Sequence, residues 1–300
     1  MASSLQYCRK HNLIKPQSFV ISGLIYETLM GSQAYGCSKE GISDYDIYGV
    51  CVPSRNILFP HTAGYVAYFD NSAPKFEQYQ QSHVKCEQSG KEFDFSIYNI
   101  AKYFAHLIKG APNCIDALFT DETCIKHITQ AGHLMRDNRK LFLSKECWKT
   151  YRGYSASQVK SMNNRNAEGV RKDDMDKCGY DLKAAYHAWR LLRQSEEIVL
   201  EGDLTLMKGA DEYKAIRRGD WTLKQFQSQF DARKVALEEV FHKCTLPEKP
   251  DRDKIRELLL ECIETHYGRS LTTEDVVRKD IETQTLREID AVLNKVRNLL

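Results

Sequence analysis

The feature of this chain that most constrains its fold is a Gly-Ser turn followed closely by two aspartates. Residues 31–36 read Gly-Ser-Gln-Ala-Tyr-Gly, and residues 43–46 read Ser-Asp-Tyr-Asp. An apolar-leaning segment, 19–30, precedes the turn, and the chain turns apolar again after the aspartates. The pattern predicts a strand, a tight turn, a loop and a second strand that opens on the two carboxylates. We expect this unit to span 19–53.

The residue types in this unit suit a phosphate and a metal ion. Gly31 lets the backbone approach a phosphate closely because it has no Cβ, Ser32 adds a hydroxyl donor, and successive N–H groups form an anion-binding concavity. Asp44 and Asp46 are two residues apart, so on a strand they face the same side. Such a pair can hold Mg²⁺ ions about 3.5–4 Å apart for phosphoryl transfer. Each part alone is more often a solvated turn or a helix cap, but the two together indicate a site for a phosphate and a metal ion.

A third carboxylate stands on a later segment. Residues 91–97 alternate charged and apolar side chains with period two, which predicts a half-buried strand. Glu92 and Asp94 share its polar face. A carboxylate near the metals can bind one of them and take the proton of an attacking hydroxyl, and Asp94 is our candidate, with Glu92 as its substitute. The alternative is an acidic strand face on the surface.

A helix predicted over 181–200 carries two stripes. Lys183, His187 and Arg190 lie at i, i+4 and i+7 and repel one another unless an anion sits between them. The functional interpretation is a clamp on a triphosphate or a nucleic-acid phosphate, with Arg suited to bidentate contact. The alternative is a solvated helix face, or a His187 satisfied within the core. The apolar stripe beside them consists of Leu182, Ala185, Tyr186, Trp189 and Leu192.

The order of these motifs resembles a known family. Gly-Ser-x-x-Tyr-Gly, Ser-Asp-x-Asp, a strand aspartate, a helix and then Pro-Asn-x-x-acid-x-Leu-Phe are similar to the RNA-repair-pathway (RlaP-type) nucleotidyltransferases of the DNA polymerase beta-like superfamily. The family's Lys-x-x-x-His-x-x-Arg helix is matched as well. The resemblance covers 24–210 and departs mildly at 111–116, where Asn-Pro-Asn and Glu are common in the family. We assign Asp116 no role and expect Asn113 to cap a helix.

The resemblance implies an α+β fold with two domains. The first, 1–140, is a polymerase-beta-like catalytic domain with a mixed sheet, and the second, 141–300, is a mostly helical substrate- and nucleotide-binding domain. It implies a nucleotidyltransferase that needs Mg²⁺ (two ions, with Mn²⁺ as an alternative). The reaction moves an NMP from an NTP to an acceptor hydroxyl on RNA and releases pyrophosphate. A protein-modifying nucleotidyltransferase and a non-catalytic nucleotide- or RNA-binding protein remain alternatives.

The same resemblance assigns the site residues. The predicted catalytic residues and metal ligands are Asp44, Asp46 and Asp94. The predicted nucleotide-binding residues are Gly31, Ser32, Tyr35, Gly36, Lys183, His187 and Arg190.

Composition narrows the class of protein. Lys and Arg number 43 against 41 Asp and Glu, so no strong overall field marks a nucleic-acid binder and any such contact is local. No apolar run approaches the roughly 20 residues that cross a bilayer, and no secretory segment is evident. Ten cysteines occur without a C-x-x-C pair, which disfavours a zinc site or a disulfide framework. We expect a cytoplasmic protein without membrane contact, and its oligomeric state stays open.

Other segments carry weaker patterns. Residues 54–90 are rich in aromatic and amide side chains, which indicates either a substrate-stacking flap or an ordered excursion of the sheet. Residues 163–176 predict a mobile loop, and 202–222 a small strand or loop. Helical stripes at 255–263 and 289–300 fit bundle packing.

Overall fold

A computed structural model of the protein describes residues 3–38, 44–64, 75–162 and 170–268. Within these ranges the strands form one sheet in the order β3-β4-β2-β1-β5. β2 and β4 are parallel, and the other pairs are antiparallel, so the sheet is mixed. The strands are β1 Leu24–Leu29, β2 Tyr45–Cys51, β3 Gln78–Cys86, β4 Lys91–Asn99 and β5 Ile125–Ile128.

Helices surround the sheet and make up the second half of the described chain. Seven accompany the strands: α1 Ser4–Lys10, α2 Ser18–Ser22, α3 Gly31–Ala34, α4 Arg55–Leu58, α5 Ile100–Ile108, α6 Pro112–Leu118 and α7 Gln130–Asp137. Six follow: α8 Lys145–Ser161, α9 Val170–Cys178, α10 Leu182–Glu201, α11 Ala210–Arg218, α12 Leu223–Phe241 and α13 Arg252–Tyr267. The predicted α+β class is confirmed.

The strand predicted around Asp94 forms as expected. Along β4, Phe93, Phe95 and Ile97 are buried while Asp94 and Ser96 are half-buried, because alternate residues of a strand face opposite sides. The helical spacing then begins at Ile100, where the Asn99 side chain accepts a hydrogen bond from Ala101 N–H at 2.8 Å. The strand is therefore readable from periodicity.

The strand predicted over 19–30 is wrong in its first part. Ser18–Ser22 is a short helix, which is closed by Gly23 before β1 begins at Leu24. A helix of five residues is too short for its periodicity to separate it from a strand. After the strand, the predicted tight turn takes the form of the single helical turn α3.

Two further predictions differ from the structure. The predicted loop over 163–176 is helical from Val170 onward, and 163–169 lies outside the described residues. The predicted strand or loop over 202–222 contains α11, whose short apolar face buries Tyr213 and Ile216. Asn113 lies within the first turn of α6, and its N-cap is Ala111.

Non-local strand pairing adds elements that periodicity did not reveal. Within 54–90, residues 78–86 form the edge strand β3, which supports the sheet excursion for that part, and 65–74 lies outside the described residues. The strand β5 was not predicted. The helix predicted at 255–263 is present as α13, and the one at 289–300 also lies outside the described residues.

The boundary at 140/141 stays a prediction, because buried contacts join the two parts. The Tyr151 hydroxyl of α8 donates to Asp116 Oδ1 of α6 at 2.7 Å, and the Tyr267 hydroxyl of α13 donates to the Pro53 carbonyl at 2.6 Å. Among the described helices, none combines the length and the apolar character that crossing a membrane requires.

Candidate active site

The Gly31 turn and the Asp46 carboxylate are in direct contact. The backbone N–H of Met30 donates to the Asp46 carbonyl at 2.7 Å, which joins the end of β1 to the start of β2. Gly31 has φ +62°, and a Cβ at this position would overlap Asp46 Oδ2. Glycine is therefore required here for both its conformation and its lack of a side chain. The structure brings together the two features from which the sequence prediction started.

Asp44, Asp46 and Asp94 form one acidic cluster at the start of β2 and on the neighbouring parallel strand β4. Asp46 and Asp94 are directly paired in the β2–β4 register, and Asp44 immediately precedes β2. Burial raises the pKa of Asp46, and the negative charges of Asp94 and Asp44 raise it further. The positive charge of Lys183, on α10, lowers it. Like charges are thus held close together beside one lysine, as expected of a site that binds a cation.

His83 holds the third carboxylate, that of Asp94, in place, and no sequence pattern predicted this contact. Its backbone N–H donates to Asp94 Oδ1 at 2.6 Å. Its ring Nδ1 lies 2.6 Å from Glu92 Oε1, so one residue contacts both carboxylates that were weighed for the third position. One oxygen of Asp94 is therefore fixed by the backbone, and in the described part of the chain no hydrogen bond to Oδ2 is seen.

The backbone at His83 is unusual for a residue with a side chain. Its φ is +58°, and the β3–β4 register is irregular between Gln81 and Val84. The imidazole is 80% exposed, so core packing does not explain this conformation. The bulge turns the His83 N–H toward Asp94, and bulges next to active sites commonly redirect groups in this way. Hydrogen bonding to Glu92, followed by the charges of Asp94 and Glu92, raises the pKa of His83.

The three predicted cations of α10 have different surroundings. Lys183 is exposed and acts on Asp46. His187 is half-buried and its ring contacts that of Tyr186, with centroids 4.8 Å apart. Arg190 is buried, and its Nη1 lies 2.5 Å from Asp116 Oδ2. The negative groups near Lys183 and Arg190 are therefore carboxylates of the protein, and phosphate binding by the three cations stays a prediction.

Asp116 is the centre of a buried polar network. Its Oδ2 accepts from the Tyr35 hydroxyl at 2.7 Å and from Gln194 Nε2 at 3.1 Å, in addition to Arg190. Its Oδ1 accepts from the Tyr151 hydroxyl at 2.7 Å. The Arg190 guanidinium also stacks on the Tyr35 ring, 3.9 Å from its centroid. Sequence reasoning assigned Asp116 no role, and its partners lie far away in the sequence.

This network engages two residues that were predicted to bind nucleotide. The polar atoms of Tyr35 and Arg190 contact Asp116, and both side chains are buried. Their nucleotide-binding role stays a prediction that none of these contacts supports. Ser32 is half-exposed on the turn beside Gly31. Gly36 has φ +65° and would place a Cβ against Ala210 of α11, which explains this glycine by packing.

The acidic cluster is not a preformed metal cage. In the described ranges, no group of three or more His, Cys, Asp and Glu side chains is arranged to hold a metal ion. Mg²⁺ seldom uses such a cage, because it is usually bound through one or two carboxylates together with waters and substrate phosphates. Asp46 and its neighbours beside the Gly31 turn match that kind of site.

Comparison with known proteins gives a family match. The sequence model of the RlaP family, described as "RNA repair pathway DNA polymerase beta family", matches residues 6–239. No curated protein matches the chain. Among solved structures, the chain is similar to a nucleotidyltransferase-like protein from Exiguobacterium sibiricum, with 9% sequence identity and a TM-score of 0.29. That match covers 88% of this chain and 73% of the other.

Proposed function

The chain belongs to the RNA repair pathway DNA polymerase beta family, and from this premise we propose that it is a Mg²⁺-dependent nucleotidyltransferase. It moves an NMP from an NTP to an acceptor hydroxyl, with release of pyrophosphate. The observation that carries the proposal is the position of Asp46, which lies against the Gly31 turn on one side and pairs with Asp94 on the other.

Each part of this arrangement suits one part of the substrate. The Gly31-Ser32 turn takes the β- and γ-phosphates, because its backbone is open to close approach. Asp44, Asp46 and Asp94 hold Mg²⁺, with Mn²⁺ as a substitute. When bound, the metal neutralises phosphate charge and stabilises the attacking and leaving oxygens. Lys183 adds a positive charge beside Asp46.

In this proposal Asp94 receives the proton. The acceptor hydroxyl attacks the α-phosphorus, the bond to the oxygen bridging the α- and β-phosphates breaks, and pyrophosphate leaves with that electron pair. The hydroxyl proton passes to Asp94 Oδ2, whose partner oxygen is fixed by the His83 N–H. Such fixed positioning is how a carboxylate acts as a general base.

RNA as the acceptor is supported by the family description. A cytoplasmic location is supported by the cysteines, since all ten lie within the described residues and are free thiols. Free thiols persist in reducing compartments.

The experiment is transfer of label from each α-³²P NTP to RNA with Mg²⁺, in the native protein and in Asp44→Asn/Asp46→Asn. We expect the double variant to lose transfer by about 10³-fold or more, because losing several kcal/mol of charge stabilisation has that effect on the rate. Asp231→Asn, an exposed aspartate on α12, is the matched control and should transfer normally. Equal transfer by the double variant would refute the site, and label on protein instead of RNA would refute the acceptor.

A further inference from the structure

A pocket of about 410 Å³ lies beyond the acidic cluster, between the end of β4, the start of α6 and the helices α8 and α10. Its aromatic walls include Tyr98, His106 and Tyr154, and its polar groups include Asn113, Gln158 and His187. The volume is within the roughly 300–1,000 Å³ of small-ligand sites. Nothing in the predicted site residues accounts for the pocket apart from His187 and Arg190.

The pocket lies on the same face of the sheet as the acidic cluster. Tyr48 is two residues after Asp46 on β2, so it lies on the same face of the sheet. The Tyr48 ring contacts that of Tyr98, with centroids 6.1 Å apart, and the Asn113 side chain hydrogen-bonds to the Tyr48 hydroxyl. On the opposite wall, His187 follows Lys183 by one helical turn, about 6 Å along the axis. Tyr48 therefore lies between the pocket wall at Tyr98 and the Asp46 carboxylate, so a ligand in the pocket is next to the acidic cluster.

The lining indicates the class of ligand. Aromatic rings and amide side chains bind a planar group that stacks and has donors and acceptors at its edge. None of the described lining residues is acidic, which disfavours an amine-bearing acceptor such as an aminoglycoside or a lysine side chain. The wall at Arg190 is rigid, because its guanidinium is held by Asp116 and by Gln194.

We propose that this pocket binds a nucleobase, namely that of the nucleotide whose phosphate or hydroxyl reacts at Asp46. This inference rests on the proposed function. The base belongs either to the incoming triphosphate or to the terminal nucleotide of the acceptor RNA, and the experiment separates these two sources.

The test compares the native protein with Tyr154→Ala/Gln158→Ala. Tyr154 is 56% exposed and Gln158 is half-buried, so their loss should leave the fold intact. Val235→Ala, at an apolar residue that is 61% exposed on α12, is the matched control. Affinities for the four α,β-methylene nucleoside triphosphates and for tripolyphosphate, all with Mg²⁺, are measured by calorimetry, and the KM for acceptor RNA is measured by label transfer.

We expect native protein to bind at least one nucleotide more tightly than tripolyphosphate. The double variant should lose about 5- to 100-fold in that affinity while tripolyphosphate binding is unchanged, as base-stacking energies imply. An increase of that size in the KM for RNA alone assigns the pocket to the acceptor base and equally supports the proposal. Unchanged nucleotide affinity together with an unchanged KM for RNA overturns it.

The two proposals fail in different ways. If the pocket inference is wrong, native protein still binds tripolyphosphate and transfers NMP, and Tyr154→Ala/Gln158→Ala transfers as well as native. If the proposed function is wrong, native protein transfers no NMP from any NTP. Gln158→Trp, which fills the pocket instead of emptying it, should reproduce the loss seen in the double variant.

Discussion

Two carboxylate clusters near helix α10 differ in how completely their oxygens are hydrogen-bonded. Near its N-terminus, Lys183 lies beside Asp46, whose other neighbours are the carboxylates Asp44 and Asp94. Two turns later, Arg190 pairs with Asp116, which also accepts hydrogen bonds from two tyrosines and a glutamine. Among the described residues, the first cluster has an excess of negative charge, whereas the second pairs the buried Asp116 with the buried Arg190, although the Arg190 Nε has no hydrogen-bond partner there.

The difference separates a site from a structural element. A buried carboxylate with four donors needs no ligand, because every acceptor position has a partner. A partly exposed group of carboxylates with raised pKa at Asp46 stores unfavourable interactions that a cation relieves, which is typical of functional sites. The sequence pattern Lys-x-x-x-His-x-x-Arg predicts the same role for Lys183 and Arg190, whereas in the structure the two side chains have different partners.

The largest effect should come from opening the closed cluster. Arg190→Met leaves Asp116 buried without its cation, which should lower the free energy of unfolding by about 3–5 kcal/mol. Chemical denaturation followed by circular dichroism measures this. Lys183→Met, on the same helix but exposed, is the matched control and should change stability by less than about 0.5 kcal/mol.

The opposite result would reverse the comparison. If Arg190→Met were as stable as Lys183→Met and lost triphosphate affinity, Arg190 would be a phosphate ligand, as the sequence pattern predicted. Asp116 would then be able to release it for a substrate.

The next largest effect concerns the open cluster. Lys183→Met should reduce transfer by about 10-fold to 100-fold, which corresponds to a loss of about 1.4–2.7 kcal/mol of charge stabilisation. It should also move the acidic limb of the pH–rate profile to higher pH. Transfer needs ionised Asp46, so the transfer rate rises as pH rises through the pKa of Asp46. The charge of Lys183 lowers this pKa, so its loss raises the pKa and moves the limb to higher pH.

The comparison is sharpened by Lys183→Arg, which keeps the charge and should keep the position of that limb. A profile that falls in amplitude without moving would show that Lys183 acts on the substrate alone. An unchanged rate and profile in Lys183→Met would remove Lys183 from the site.

Local patterns carried much of this architecture. Period-two alternation located β4 and Asp94, and the Gly31 turn with its i, i+2 aspartates located the acidic cluster, because both depend on residues close together in the sequence. The charge stripe of α10 predicted anions close to its cations. It could not tell whether those anions belong to a substrate or to the protein, because Asp116 is 74 residues from Arg190 along the chain.

The features that were missed depend on non-local pairing. The edge strand β3 is mostly polar and shows little alternation of apolar and polar residues. The strand β5 is only four residues long, so neither has a clear strand pattern in the sequence. The His83 bulge exists only because β3 pairs irregularly with β4. No signal in the sequence marks a histidine as a residue with positive φ, so its contact with Asp94 required the three-dimensional arrangement.

The smallest effect should come from His83, which contacts the open cluster through its backbone. Glycine adopts φ +58° without strain and keeps the N–H on Asp94, so His83→Gly should change transfer at pH 8 by less than about threefold.

Because Glu92 raises the pKa of His83, the imidazolium contributes stability that is present below its unfolded pKa and is lost as pH rises through its folded pKa. The stability difference between native and His83→Gly should therefore shrink as pH rises through that range. His83→Pro removes the N–H and, because the proline ring holds φ near −65°, also removes the bulge geometry at this position. Its transfer should fall about tenfold or more, at least the cost of a lost hydrogen bond to a charged group. If the glycine and proline variants were equally impaired, the imidazole itself would be the group that serves the site.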